Sequence, residues 1–343
     1  MTFATGRALH KMLAPPPTEV TFAVRGFHTG QPQARDYLEQ IGRWFLTGLE
    51  YGMTVPGEHE IAARLETVAR EGRGFAYEGA AMALAILDGL LPGRGGRLHR
   101  FIAGPAAHHV YTAHIGAGWA LARLPAPLRP RVRLGDPLLR RLALDGYGFH
   151  EAYFRTPVVV GEQRPPRILR RGPGAARDAA HVVDQGIGRA LWFVSGADAD
   201  RLAGTIDGFA PARQPDLWAG AGLAATYAGF RGAAGPAGGE EDPAAIRAAE
   251  ASLRELAARA GRHLPDAAQG AAFAAKARER AGAVTPHTVA AVRALCGMEV
   301  AEAARCTDEA LPADPAAADA YQTWRRRIRR RFAELPAPAR PES

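Results

Sequence analysis

The sequence predicts a mainly α-helical protein: two related helical halves with a pseudo-twofold relation, followed by a C-terminal helical segment. Three observations carry that expectation. Apolar residues recur at helical spacing over most of the chain, as at Leu38, Ile41, Phe45 and Leu49. A vocabulary of short motifs occurs twice, with Gly42 and Gly146, Gly79 and Gly186, and Gly116 and Gly220 each separated by roughly one hundred residues. Glycines also cluster inside the helical stretches, at Gly79, Gly116, Gly118, Gly186, Gly188, Gly220 and Gly222. Each interior glycine costs a helix about 1 kcal/mol relative to alanine, so such a cluster needs a reason. Close approach of two helices is one; backbone approach to a ligand is the other.

The elements follow in order. Residues 1–25 read as an irregular lead holding Pro15, Pro16 and Pro17, with a short strand-like pattern at 21–24. Helices are expected at 34–53 and 58–70, then, past the Gly72 and Gly74 break, at 75–91 and 108–124. These make up a first half, 26–130. A second half, 131–230, holds helices at 145–154, 179–194, 198–206 and 215–228, with an extended piece at 156–161 and a Pro/Arg/Gly loop at 163–174. Pro215 suits a first helical position, and Asp216 the positive end of the helix dipole. A glycine-rich linker, 231–242, leads to the Ala-rich segment 243–334 and a tail, 335–343.

Bulk properties narrow the function. The chain has 343 residues, 47% of them hydrophobic, and a formal net charge of +8. Nearly all the basic charge is arginine, since Lys11 and Lys276 are the only lysines. Much of the excess lies near the C-terminus, where Trp324, Ile328 and Phe332 recur at i, i+4 and i+8. That pattern predicts a helix docked through an apolar stripe, with its arginines solvated, and no nucleic-acid partner. No apolar run approaches the about 20 residues of a membrane span, and no charged lead precedes an apolar stretch. Cys296 and Cys306 are too few for a disulfide framework, so a reducing cytoplasm is expected.

The candidate chemistry lies in acids, histidines and aromatics. Glu78 stands one residue, and Asp184 two residues, before a glycine at comparable points of the two halves. Such acids could cap helix N-termini, or face each other as a general acid–base pair or a metal-binding pair. Arg189, five residues after Asp184, is a candidate ion-pair partner or a substrate contact. His114, His150 and Glu151 are candidates for proton transfer. His108, His114 and His150 are candidate metal ligands, although no His-Glu-x-x-His pattern is present. Trp119, Trp192 and Trp218, with Tyr77, Phe149, Tyr153 and Tyr227, could line one apolar chamber or simply fill the core. Phosphate loops, dinucleotide fingerprints, nucleophile elbows and Cys-x-x-Cys pairs are missing, so no organic cofactor is implied. The carboxylates leave room for magnesium.

Long motifs around Arg25–Gly26–Phe27, Tyr77–Glu78–Gly79–Ala80, Gly118–Trp119, Gly146–Tyr147–Gly148–Phe149–His150–Glu151, Asp184–Gln185–Gly186–Ile187–Gly188–Arg189 and Asp216–Leu217–Trp218 make the chain resemble the domain of unknown function 1702 family. Members of that family are often labelled enediyne biosynthesis proteins and lie beside iterative polyketide synthase genes. The resemblance spans about Gly26 to Trp324 and brings no catalytic residues with it. It implies an accessory protein of bacterial natural-product biosynthesis acting on an apolar, polyene or isoprenoid-like intermediate. Cofactor-independent acid–base or cyclisation chemistry is one expectation. A non-catalytic binder, or a chaperone-like partner of a polyketide synthase, is the other. Acids paired with arginine would favour the binder.

Overall fold

The computed structural model describes residues 15–91, 96–166, 168, 175–229 and 243–334. Among these the protein is helical, with no strand. The helices are α1 (Phe22–Arg25), α2 (Pro32–Thr54), α3 (Glu58–Leu65), α4 (Arg73–Leu90), α5 (Arg97–Ala103), α6 (Val110–Arg123), α7 (Leu142–Phe154), α8 (Ala175–Val194), α9 (Ala199–Asp207), α10 (Gln214–Tyr227), α11 (Pro243–Ala260), α12 (Leu264–Arg280), α13 (Pro286–Cys296), α14 (Val300–Glu309) and α15 (Ala320–Ala333). Residues 1–14 of the expected lead, most of the 163–174 loop, the 231–242 linker and the tail from 335 lie outside the described residues.

Two extended pieces expected from the sequence are helical instead. The 21–24 segment becomes α1, because the Thr21 hydroxyl accepts from the Val24 amide and left-handed Gly26 (φ 68°) closes the turn. The 156–161 segment is a π-helical turn, Pro157–Gly161, continuing the helical path of α7. Helix α5 was not expected. It begins where the buried Asp88 of α4 accepts from the amides of Arg97 and Leu98, at 3.2 and 3.1 Å. This carboxylate satisfies N-terminal donors from outside the helix, which a local reading does not see.

The chain forms two compact units. The first comprises residues 1–26 and 39–170, the second 27–38 and 171–343. The half boundary expected at 130 falls inside the first of these units. In the first unit, α6 packs between α4 and α7. Its glycines are what allow this. A methyl group added at Gly116 or Gly118 would stand 2.1 Å from the carbonyl oxygens of Glu78 on α4 and Ala143 on α7. Gly146 of α7 returns the contact against the Ile115 carbonyl. In the second unit, α10 packs between α8 and α12. There Gly220 and Gly222 face the carbonyls of Gln185 and Ala267, and Gly270 faces that of Ala219.

A similar glycine contact pattern thus occurs in both units; it keeps the pairing of Gly116 with Gly220 read from the sequence, but not that of Gly42 with Gly146. Gly146 is matched by Gly270. Gly42 instead meets the Val20 side chain. Likewise the Gly116 and Gly220 contacts make Glu78 the counterpart of Gln185 in its own unit, so Asp184 corresponds to Tyr77 and not to Glu78.

The C-terminal helix α15 docks as its stripe predicts. Trp324, Ile328 and Phe332 are buried, and the Trp324 indole donates to the Thr307 carbonyl at 2.7 Å. Its arginines are not all solvated, however: Arg325 has no exposed surface.

Candidate functional site

The second unit contains a cavity of about 250 Å³, slightly below the usual lower bound of drug-sized ligand sites, about 300 Å³. Its wall includes Leu38, Trp192, Ala197, Ala228, Leu253 and His287. Polar lining residues include Gln31, Asp198 and Glu255. Each wall element is held locally. The Trp192 indole, at the end of α8, donates to the Ala228 carbonyl at 3.4 Å. His287, in the first turn of α13, reaches the Ala225 carbonyl through Nε2 at 2.7 Å, so that nitrogen carries the proton. Gly196 and Ala197 both take left-handed conformations, with φ 62° and 61°. For alanine this is a strained state, of the kind that collects at functional sites. The turn ends at Asp198, whose carboxylate caps α9 by accepting from the Arg201 amide at 2.8 Å.

Asp184 does not line this cavity. Its carboxylate is held by Arg213 in a two-point pair, Nη2–Oδ1 2.6 Å and Nε–Oδ2 3.0 Å. Burial pushes the carboxyl up from its ordinary value, and Arg213 opposes that. The partner anticipated for Asp184 was Arg189; the fold supplies Arg213 instead, from the residue before α10. Nearby, Asp216 accepts from His181 (2.6 Å) and Arg329 (2.8 Å) and forms an ion pair with Arg325 Nη2 at 2.8 Å. Arg329 also reaches Asp266, itself paired with His263 at 3.0 Å. This charge network joins α8, α10, α12 and α15, and its members consume one another. Sequence reading missed Arg213, His181, Arg325, Arg329 and Asp266. Only Asp216 carried a local signal, and that pointed to a helix start.

The other candidates in the second unit are not among the residues lining the cavity. Trp218 is buried in the core. Tyr227 lies under the Arg278 guanidinium, 3.9 Å from its ring centroid, and its carbonyl accepts from Arg278 at 2.6 Å. Arg189 is buried in α8.

The first unit gathers a different set. Trp119 sits among Phe45 (4.5 Å between ring centroids), Phe149 (5.1 Å), His150 (5.7 Å), Phe154 (5.9 Å) and Tyr153 (6.4 Å). Among the described residues, the Trp119 indole nitrogen and both His150 ring nitrogens lack a hydrogen-bond partner, although all are buried. Glu151 lies 3.7 Å from His150, too long for a hydrogen bond, and accepts from Arg155 at 2.6 Å. Burial lowers the His150 pKa against the pull of Glu151, favouring the neutral ring. His114 donates through Nδ1 to the Val110 carbonyl at 2.7 Å, and burial lowers its pKa too. Glu78 is buried in α4, in this unit, whereas Asp184 belongs to the other.

His108, His114 and His150 are not what the fold brings together as a ligand group. Among the described residues, the ligand-spaced group is Glu66, His108 and His109. Tyr77 stacks on His109 at 4.1 Å and donates to Glu66 at 2.9 Å.

No curated protein and no solved structure matches the chain. The family described as "Protein of unknown function (DUF1702)" matches residues 4–332, nearly the whole length. The motif resemblance and this match coincide, and the chain belongs to the DUF1702 family.

Proposed function

We propose that the protein binds a small, largely apolar intermediate of bacterial natural-product biosynthesis in the cavity of its second unit, as an accessory or chaperone-like partner of a polyketide synthase. The observation that carries this is the cavity itself, lined by apolar Trp192, Leu38 and Leu253 together with several polar residues. The natural-product setting comes from the resemblance to proteins labelled for enediyne biosynthesis. The volume suits a compact molecule or one segment of a longer polyene. The pairing of Asp184 with Arg213 supports binding over catalysis at that carboxylate, because a paired, caged acid is poorly placed to exchange protons with a ligand.

The test is direct. Purified protein is incubated with polyene extracts and with prenyl diphosphates, with and without magnesium, and co-eluting molecules are identified by mass spectrometry. Recovery of a bound polyene by the wild type and its loss on placing a bulky ring at the cavity-lining Ala249, in Ala249→Phe, is the expected result. Equal recovery by the variant would remove the cavity from the proposal.

A second reading, cofactor-independent acid–base or cyclisation chemistry, has one observation in its favour. Both nitrogens of buried His150 lack hydrogen-bond partners among the described residues, next to an aromatic cluster able to shield a developing cation. New products in the same incubations that vanish in His150→Gln would favour this reading.

A further inference from the structure

We propose that Glu66, His108 and His109 form a zinc(II) site in the first unit. One ligand atom from each residue lies within 4.8 Å of the others, and His108 Nε2 is 3.7 Å from Glu66 Oε1. Glu66 directly follows α3, and the two histidines occupy the 3-10 turn Ala107–His109 that runs into α6. Ligands about 2.0–2.2 Å from a tetrahedral ion stand roughly 3.4 Å apart, so the group needs to contract by about 1 Å. The Glu66 and His108 side chains are both more than two-fifths exposed, which leaves room for this shift.

The donor set selects the metal. Two imidazoles and one carboxylate suit zinc, whereas magnesium and calcium take oxygen ligands. Three protein ligands leave a fourth position for water or a substrate oxygen.

The surrounding residues orient these ligands. The Tyr77 hydroxyl donates to Glu66 Oε1 at 2.9 Å, and Arg73 holds Oε2 at 2.8 Å, leaving Oε1 a lone pair for the ion. The Tyr77 ring packs on both histidines, face-on to His109 and edge-on to His108 at 5.4 Å. Such outer-shell fixing is typical of bound histidine and carboxylate ligands. Arg73 also works against a dication, since it already neutralises Glu66. The bound ion would therefore retain excess positive charge and draw an anionic oxygen to its fourth position.

The experiment uses the full chain, stripped with a chelator and titrated with zinc chloride against a chromogenic competitor. One zinc per chain is expected. Tyr77→Phe weakens zinc binding about 10–100-fold, and the Glu66→Gln/His108→Ala double variant weakens it further. His59→Ala, an exposed histidine elsewhere in the unit, leaves binding unchanged. Cobalt substitution gives intense tetrahedral absorption bands in the wild type, which the double variant lacks while keeping its helical circular dichroism. No binding at micromolar zinc, unchanged affinity in the double variant, or an equal loss in His59→Ala would each overturn the assignment.

Discussion

Arg325, with no exposed surface, places Nη2 2.8 Å from Oδ1 of the buried Asp216, and the same guanidinium reaches Gln269 and Gln322 at 3.1 and 3.2 Å. Helix α15 is thereby fixed to α10 and α12 by a charge inside the fold as well as by its apolar stripe. Removing one member of a buried pair strands the other without compensation, at a cost of about 3–5 kcal/mol. Because Arg329 also contacts Asp216, Arg325→Met is expected at the low end, about 3 kcal/mol. Arg326→Ala, whose pair with Asp319 is exposed, changes stability by less than about 1 kcal/mol. Urea denaturation of the two variants checks the contrast; equal small losses would show that the buried pair has no special weight.

The same carboxylate sets a pH dependence. Burial acts to raise Asp216, but Arg325, His181 and Arg329 hold it far below the ordinary carboxylate range. Its hydrogen bond to His181 raises the imidazole above its usual value against burial. A raised histidine contributes stability that is complete below its unfolded pKa, about 6.5, and lost as pH rises through the folded value. The depressed Asp216 contributes stability above its unfolded pKa, about 3.9, and loses it only in stronger acid. The melting-temperature advantage of wild type over His181→Gln is therefore expected to be greatest between these limits and to shrink as pH rises above about 6.5. An advantage that grows with pH would contradict the assignment.

The glycine contacts predict opposite outcomes for one chemical change. Gly220→Ala puts a methyl group 1.9 Å from the Gln185 carbonyl. The helices must separate, which costs about 1–3 kcal/mol or somewhat more for overpacking. At Gly204, inside α9, an added methyl meets nothing within 4 Å. There alanine gains about 0.5–1 kcal/mol from helix propensity and a less flexible unfolded chain. Thermal melts of Gly220→Ala and Gly204→Ala should move in opposite directions. Gly116→Ala, against the Glu78 carbonyl in the first unit, should behave like Gly220→Ala.

What the sequence revealed follows the range of the forces involved. Helix periods are local, so the apolar spacing of α2, α8 and α10 located them to within a few residues. The glycines at 116, 118, 220 and 222 marked helix crossings, because each faces a backbone carbonyl of a neighbouring helix. The pairing of Gly42 with Gly146 failed because the two share a local motif but face different partners, Val20 and Ile115, whereas Gly116 and Gly220 make comparable contacts. Helix α5 and the Asp184–Arg213 and Asp216–Arg325 pairs depend on contacts remote in sequence, which no local pattern encodes. The Glu66–His108–His109 group was hidden for the same reason: its carboxylate lies about forty residues from its imidazoles in the chain, outside the i, i+4 spacing of a helical metal motif.

Asp184→Asn tests whether that carboxylate is structural or chemical. The substitution keeps the shape but removes the charge held by the Arg213 fork, whose guanidinium is about one-fifth exposed and can turn toward water. Losing a charge-assisted pair in this setting costs about 1–3 kcal/mol. Retention of the bound intermediate is expected, because Asp184 is not part of the cavity wall, together with a lower denaturation midpoint. Loss of recovered ligand or product in a variant that is still folded would instead return Asp184 to the chemistry, and with it the acid–base reading. Arg213→Gln separates the cases further. It leaves Asp184 buried without its main cation, a larger structural loss than Asp184→Asn, yet a catalytic acid freed from its partner would be more easily protonated and would shift the pH profile of any turnover upward.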